Sequence, residues 1–102
     1  MSPGRLADDA VARELATASG WTRDGDAITR TWRFADFKTA MIFVNGVAAL
    51  AEKANHHPDV TIHYSEVTLR LWSHDAGGLT ARDFDLARTI GETDPAHPGR
   101  SA

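Results

Sequence analysis

"EKANHHPDVTIHYSEVTLRLWSH", running from Glu52 to His74, is the stretch whose reading decides the fold. Its opening residues close a helical pattern, and two adjacent histidines and a proline follow. Pro58 biases His57 away from helical dihedrals, so the helix is expected to stop near Asn55. The rest is two alternating runs, "VTIHY" and "VTLRLWSH", which read as half-buried strands. If Ser65 and Glu66 are the two loop residues of a hairpin, Val60 faces Leu71, Ile62 faces Leu69 and Tyr64 faces Val67. All six then share one side, and Asp59, Thr61, His63, Thr68, Arg70 and Trp72 share the other. A slip of one residue would set apolar positions against polar ones.

Extending that ladder past Pro58 sets His57 opposite His74, where facing Cβ atoms lie about 4.5–5.5 Å apart. Proline is tolerated where a strand begins. His56 is one residue away, so three imidazoles from two distant parts of the chain meet at one end of the sheet. His63 lies roughly 20 Å further along, at about 3.3 Å per residue, outside the cluster.

Working outward, the helix before the histidines opens at Asp36, whose side chain can cap it. Phe37, Met41, Val44, Val47 or Ala48, and Ala51 recur at helical spacing toward the core. Gly46 costs roughly 1 kcal/mol against alanine inside a helix, which close packing of another helix would explain. Upstream, a first helix starts near Asp8 or Asp9, either able to cap it. Val11, Leu15 and Ala18 form its stripe and Gly20 stops it. Asp24-Gly25 in "WTRDGDAITRTWRF" signals a hairpin. Downstream, Thr80 opens "TARDFDLARTI", with Phe84, Leu86 or Ala87, and Ile90 buried, and Thr80 to Asp83 spaced as a capping box. The order α-β-β-α-β-β-α reads as an α+β fold, a four-stranded antiparallel sheet with helices packed on one face. Residues 1–92 are expected to form one domain. Residues 93–102, which include His97, are expected to be a flexible C-terminal tail.

The totals agree. A chain of 102 residues, 42% hydrophobic and 25% charged, suits one soluble globule. A net charge of −3 offers no basic field for a phosphate backbone, so nucleic-acid partners are not expected. Without cysteine there are no disulfides, thiolate chemistry or Cys-containing zinc sites, which fits a reducing cytosol. The longest apolar run, "AMIFVNGVAALA", is too short and interrupted to cross a membrane. "MSPGRLADDA" lacks the apolar core of a secretion signal, and a cytoplasmic location is expected.

A single histidine is usually structural, but convergence across a register favours a functional cluster. Zinc often takes three imidazoles and a water. Adjacent residues such as His56 and His57 diverge on an extended chain, however, and HExxH is absent, so no metal is expected. Glu52 in the last turn of its helix opposes the macrodipole, a cost that a nearby imidazolium would offset. Trp21 and Trp32 read as packing, while Trp72 falls beside His74 on the polar face, where a ligand could touch it. Arg70 on that face can pair with an acid, within the chain or across a subunit boundary.

Glu52, "HHP" at 56–58, Tyr64, His74 and Asp83 match the signature spacing of the pterin-4a-carbinolamine dehydratases. The chain resembles that family over roughly residues 6–92, through Gly20-Trp21, "FADF", "AEKANHHP" and "SHDAGGLTARDFDLA". The resemblance implies a dehydratase converting 4a-hydroxytetrahydropterin, such as 4a-hydroxytetrahydrobiopterin, to quinonoid dihydropterin and water. It implies no cofactor, and a place in tetrahydrobiopterin recycling beside an aromatic amino acid hydroxylase. It makes His56, His57, His74 and Asp83 the catalytic set, with Glu52 supporting. His56, His57, Pro58, Ser73, His74 and Asp75 would border the pterin. Homodimeric or homotetrameric assembly is also implied, and some animal members serve as dimerisation cofactors of a transcription factor. Asn55 departs from animal relatives, which carry an acid there. The chemistry suits imidazole, whose unperturbed pKa of about 6.5 lets it give or take a proton near neutrality. Two other readings stay open: a non-catalytic dimerisation or binding module, and a dehydratase-like protein acting on another pterin.

Overall fold

A computed structural model of the chain describes residues 4–93. The order is α1 (Asp8–Leu15), β1 (Thr22–Asp24), β2 (Ala27–Arg33), α2 (Phe37–Ala54), β3 (Asp59–His63), β4 (Glu66–Leu71), a single 3₁₀ turn (His74–Ala76) and α3 (Ala81–Thr93). The strands form one antiparallel sheet in the order β1-β2-β4-β3, as expected for the α+β architecture. Helix α3 reaches Thr93, the first residue of the expected tail, and the remainder of that tail lies outside the described residues.

Alternation explains the core. Ile28, Arg30 and Trp32 of β2 stand opposite Leu71, Leu69 and Val67 of β4, and all six are buried beneath the helices. Trp32 is the hub: Trp21 meets its ring edge-on at 5.7 Å, and Phe43 of α2 lies 4.7 Å away. The Arg30 guanidinium covers it at 4.6 Å, a cation–π contact that lets a charged group share the core face. The β1–β2 hairpin turns at Gly25 and Asp26, where Gly25 takes φ 62° without the penalty a side chain would bring.

Several expectations need correction. Ala7, not Asp8 or Asp9, is the N-cap of α1, with no side-chain cap; both aspartates sit in the first turn, where they favour the helix dipole. Asp36 does cap α2, accepting from the Thr39 amide at 2.8 Å, and the Thr39 side chain first and its amide second hold the carboxyl below the usual range. The buried stripe of α2 is Ala40, Phe43, Val47 and Ala51. Phe37 and Ala48 are exposed, and Met41 and Val44 are only partly covered. Both stripes have helical spacing, so periodicity alone could not choose between them. Gly46 is exposed with nothing within 4 Å of where a Cβ would stand, so no helix packs there among the described residues.

The central hairpin also differs. Its loop is Tyr64 and Ser65, with Tyr64 at φ 54°, so Val60 pairs with Leu69 and Ile62 with Val67. Each residue's partner shifts by two positions relative to the expected ladder, which keeps apolar opposite apolar and preserves the faces. What separates the two registers is charge. The observed one puts Asp59 opposite Arg70, a pairing of opposite sign that favours it. Strand β3 lies at the sheet edge with all five residues exposed.

Candidate active site

The histidine pair is set by how α2 ends. Asn55 takes a left-handed conformation, φ 51° and ψ 43°, which asparagine tolerates. The His56 amide then reaches back to the Ala51 carbonyl and the Asn55 amide to Glu52, the two bonds of a Schellman cap. This sharp exit turns His56 inward, leaving it about a tenth exposed, while the His57 ring stays outside. Continuing the observed register would carry His57 toward Trp72 rather than His74. His74 instead sits in the 3₁₀ turn beyond β4, which Gly77 ends at φ 69°. A bridge between Ser73 and Gly78 folds the loop back to the start of α3.

The expected convergence survives the change of register. His56, His57 and His74 line one cavity of about 480 Å³, with Pro58, Trp72 and Asp75. Asn55, Asp59 and Arg82 complete its wall. The His74 ring stacks on Trp72 with centroids 3.8 Å apart and planes 33° from parallel, which fixes its plane. Arg82 donates to Asp75 at 2.6 Å, and that hydrogen bond holds the Asp75 carboxyl below its usual range. His57 Nε2 bonds the Glu52 carboxylate, the partner foreseen for that helix-end acid.

Two expected site residues lie beneath the cavity rather than on it. Asp83 and Ser73 are fully buried, so neither can touch a ligand. Asp83 Oδ1 meets His56 Nε2 at 2.6 Å. Its Oδ2 accepts from the Ser73 hydroxyl and the Thr80 amide, each at 2.9 Å. Ser73 Oγ donates to Asp83, so its lone pair takes the Thr80 hydroxyl proton at 2.8 Å. Both carboxylate oxygens are therefore held by donors in a dry interior, where hydrogen bonds are strong. With Asp83 accepting, His56 carries a proton on Nε2, and Nδ1 is the ring nitrogen left for chemistry. The capping-box spacing had found the Thr80–Asp83 contact; the Ser73 support was hidden because it comes from a different loop.

Arg70 and His63, also singled out above, are placed directly. Arg70 pairs with Asp24 at 2.5 Å within the chain. His63 is exposed on β3, away from the cavity. Among the described residues no group of three or more histidines or carboxylates is disposed to hold a metal. His56 and His57 point their Nε2 atoms at different carboxylates. Arg82 was missed, although its place beside Asp83 in the first turn of α3 was a signal.

Comparison with known proteins gives the same direction. The family model described as pterin 4 alpha carbinolamine dehydratase matches residues 4–93. A Thermomicrobium roseum protein with a provisional pterin-4-alpha-carbinolamine dehydratase name is 53% identical over 88 residues, 86% of this chain and 95% of its own. A Roseiflexus protein with the same provisional name is 50% identical over the same shares. The crystal structure of a transcriptional coactivator/pterin dehydratase from Brucella melitensis superposes with a TM-score of 0.84 at 33% identity, covering 89% of this chain and 99% of that one. A pterin dehydratase-like RuBisCO assembly factor of the alpha-carboxysome shares the fold alone, with a TM-score of 0.60 at 15% identity over 76% and 89% of the chains. The chain belongs to the pterin 4 alpha carbinolamine dehydratase family.

Proposed function

We propose that this protein dehydrates 4a-hydroxytetrahydropterins, with 4a-hydroxytetrahydrobiopterin as the reference substrate, by histidine acid–base catalysis. The observation that carries the reading is the single cavity lined by His56, His57 and His74, with His56 backed by a buried carboxylate. In the reaction the N5 lone pair expels the C4a hydroxyl, which leaves as water once protonated. Loss of the N5 proton then gives the quinonoid dihydropterin. His56, oriented by Asp83, is the base at N5 through Nδ1, in the way a buried acid orients a catalytic imidazole elsewhere. His74, held on Trp72, gives its proton to the departing hydroxyl, and His57 holds the pterin ring. Glu52 steadies His57. General acid–base help of this kind is worth about 10²–10⁴ in rate.

The physiological setting we infer is recycling of tetrahydropterin after an aromatic hydroxylation in the cytoplasm. Among the described residues no helix is long and apolar enough to cross a membrane. Self-association is part of the proposal. Val60, Ile62 and Tyr64 are exposed at the end and edge of β3, and Phe37 and Ile42 on α2. An unpaired edge strand with apolar side chains is a template for a second chain. Replacing His74 by alanine tests the chemistry. Turnover should fall at least about tenfold with the fold intact by circular dichroism. Unchanged turnover would remove His74 from the mechanism.

A further inference from the structure

We propose that the groove between α2 and α3 is a second subsite, one that takes an anionic substituent at C6 of the pterin. The inference rests on the dehydratase reading for the identity of the ring. The groove is a cavity of about 450 Å³ between Leu50, Lys53 and Ala54 on α2 and Arg82, Leu86 and Thr89 on α3. It shares His56 and Arg82 with the histidine cavity, so the two meet at one wall. Both fall within the size of small-molecule sites, roughly 300–1,000 Å³. From Arg82 to Thr89 the groove follows α3 for roughly 10 Å, at 1.5 Å per residue, room for a side arm of several atoms.

The charge in the groove is unbalanced. Asp85 also lines it, but Arg88 occupies that carboxylate at 2.7 Å. Lys53 makes no ion pair among the described residues. Arg82 gives Nη2 to Asp75, while its Nε is buried without a hydrogen-bond partner. The apolar side chains of Leu50, Ala54 and Leu86 line the groove beside these cations. A neutral polyol arm gains at most a hydrogen bond from Lys53 to a hydroxyl, without a matching charge. A carboxylate or phosphate ester on the arm gains a charge-assisted hydrogen bond.

The test is equilibrium binding, by calorimetry, of oxidised pterins that differ only at C6: a dihydroxypropyl arm, a carboxylate-ended arm and a phosphate-ended arm. Wild type should bind the anionic pterins about tenfold more tightly than the neutral one. Lys53→Ala should shrink that preference to less than about twofold, and Lys53→Glu should reverse it. Dehydration of the neutral carbinolamine should be unchanged in both variants. Equal affinities in wild type, or a preference that survives Lys53→Glu, overturns the subsite. Anion preference without turnover of any carbinolamine would sustain the subsite and sink the dehydratase reading, and turnover without preference would do the reverse.

Discussion

Replacing Asp83 with asparagine preserves the shape of a fully buried side chain but exchanges one acceptor for a donor. In one orientation the amide oxygen still serves Ser73 and Thr80, while the new NH2 group faces His56 Nε2. In the other, the NH2 group confronts both the Ser73 hydroxyl and the Thr80 amide, two donors that lose the carboxylate oxygen to which they donate and are left orphaned. A buried donor without a partner costs about 1–3 kcal/mol, so the first orientation wins. His56 must then accept at Nε2 and carry its proton on Nδ1, the nitrogen assigned to the chemistry. Folding stability should fall by about 1–3 kcal/mol through the lost charge-assisted bond. Turnover should fall by about 10²–10⁴, the worth of a general base. Urea denaturation gives the first number, stopped-flow dehydration the second, and nitrogen-15 shifts of the His56 ring report the tautomer. Undiminished turnover, with the His56 proton still on Nε2, would refute the reasoning.

Two further predictions concern assembly and pH. Ile62→Lys puts a charge on the exposed edge strand and should lower the mass of the wild-type oligomer in light scattering; a wild type already monomeric at micromolar concentration contradicts the assembly proposal. Asp75→Asn should lower the urea midpoint at neutral pH. Because Arg82 holds the folded-state pKa of Asp75 down, its contribution is present above the ordinary carboxylate range and lost as pH falls through the folded value. Wild type and variant should therefore converge in acid, and a gap that widens there would reverse the sign.

Much of the fold was readable because its signals are local. Asp36, Asn55 and Pro58 bound α2 through backbone rules that need no tertiary knowledge. The alternation after Pro58 set which face of the hairpin is apolar, since a register shift of two residues leaves the faces unchanged. The turn itself was misread because Tyr64 adopts a left-handed conformation more usual for glycine or asparagine. The buried stripe of α2 was ambiguous because the helix carries two apolar stripes, and only packing selects one. At the site, the meeting of His56, His57 and His74 was legible, although the ladder invoked for it was not the one formed. The burial of Ser73 was not legible, because it depends on how the Gly77-Gly78 loop folds back toward Thr80.

The most direct measurement is the rate at which enzymatically generated 4a-hydroxytetrahydrobiopterin loses water, followed with and without this protein and with and without a chelator. The account predicts acceleration well above the spontaneous rate, equal in both chelator conditions. Decay no faster than in buffer, or acceleration that the chelator abolishes, would contradict it.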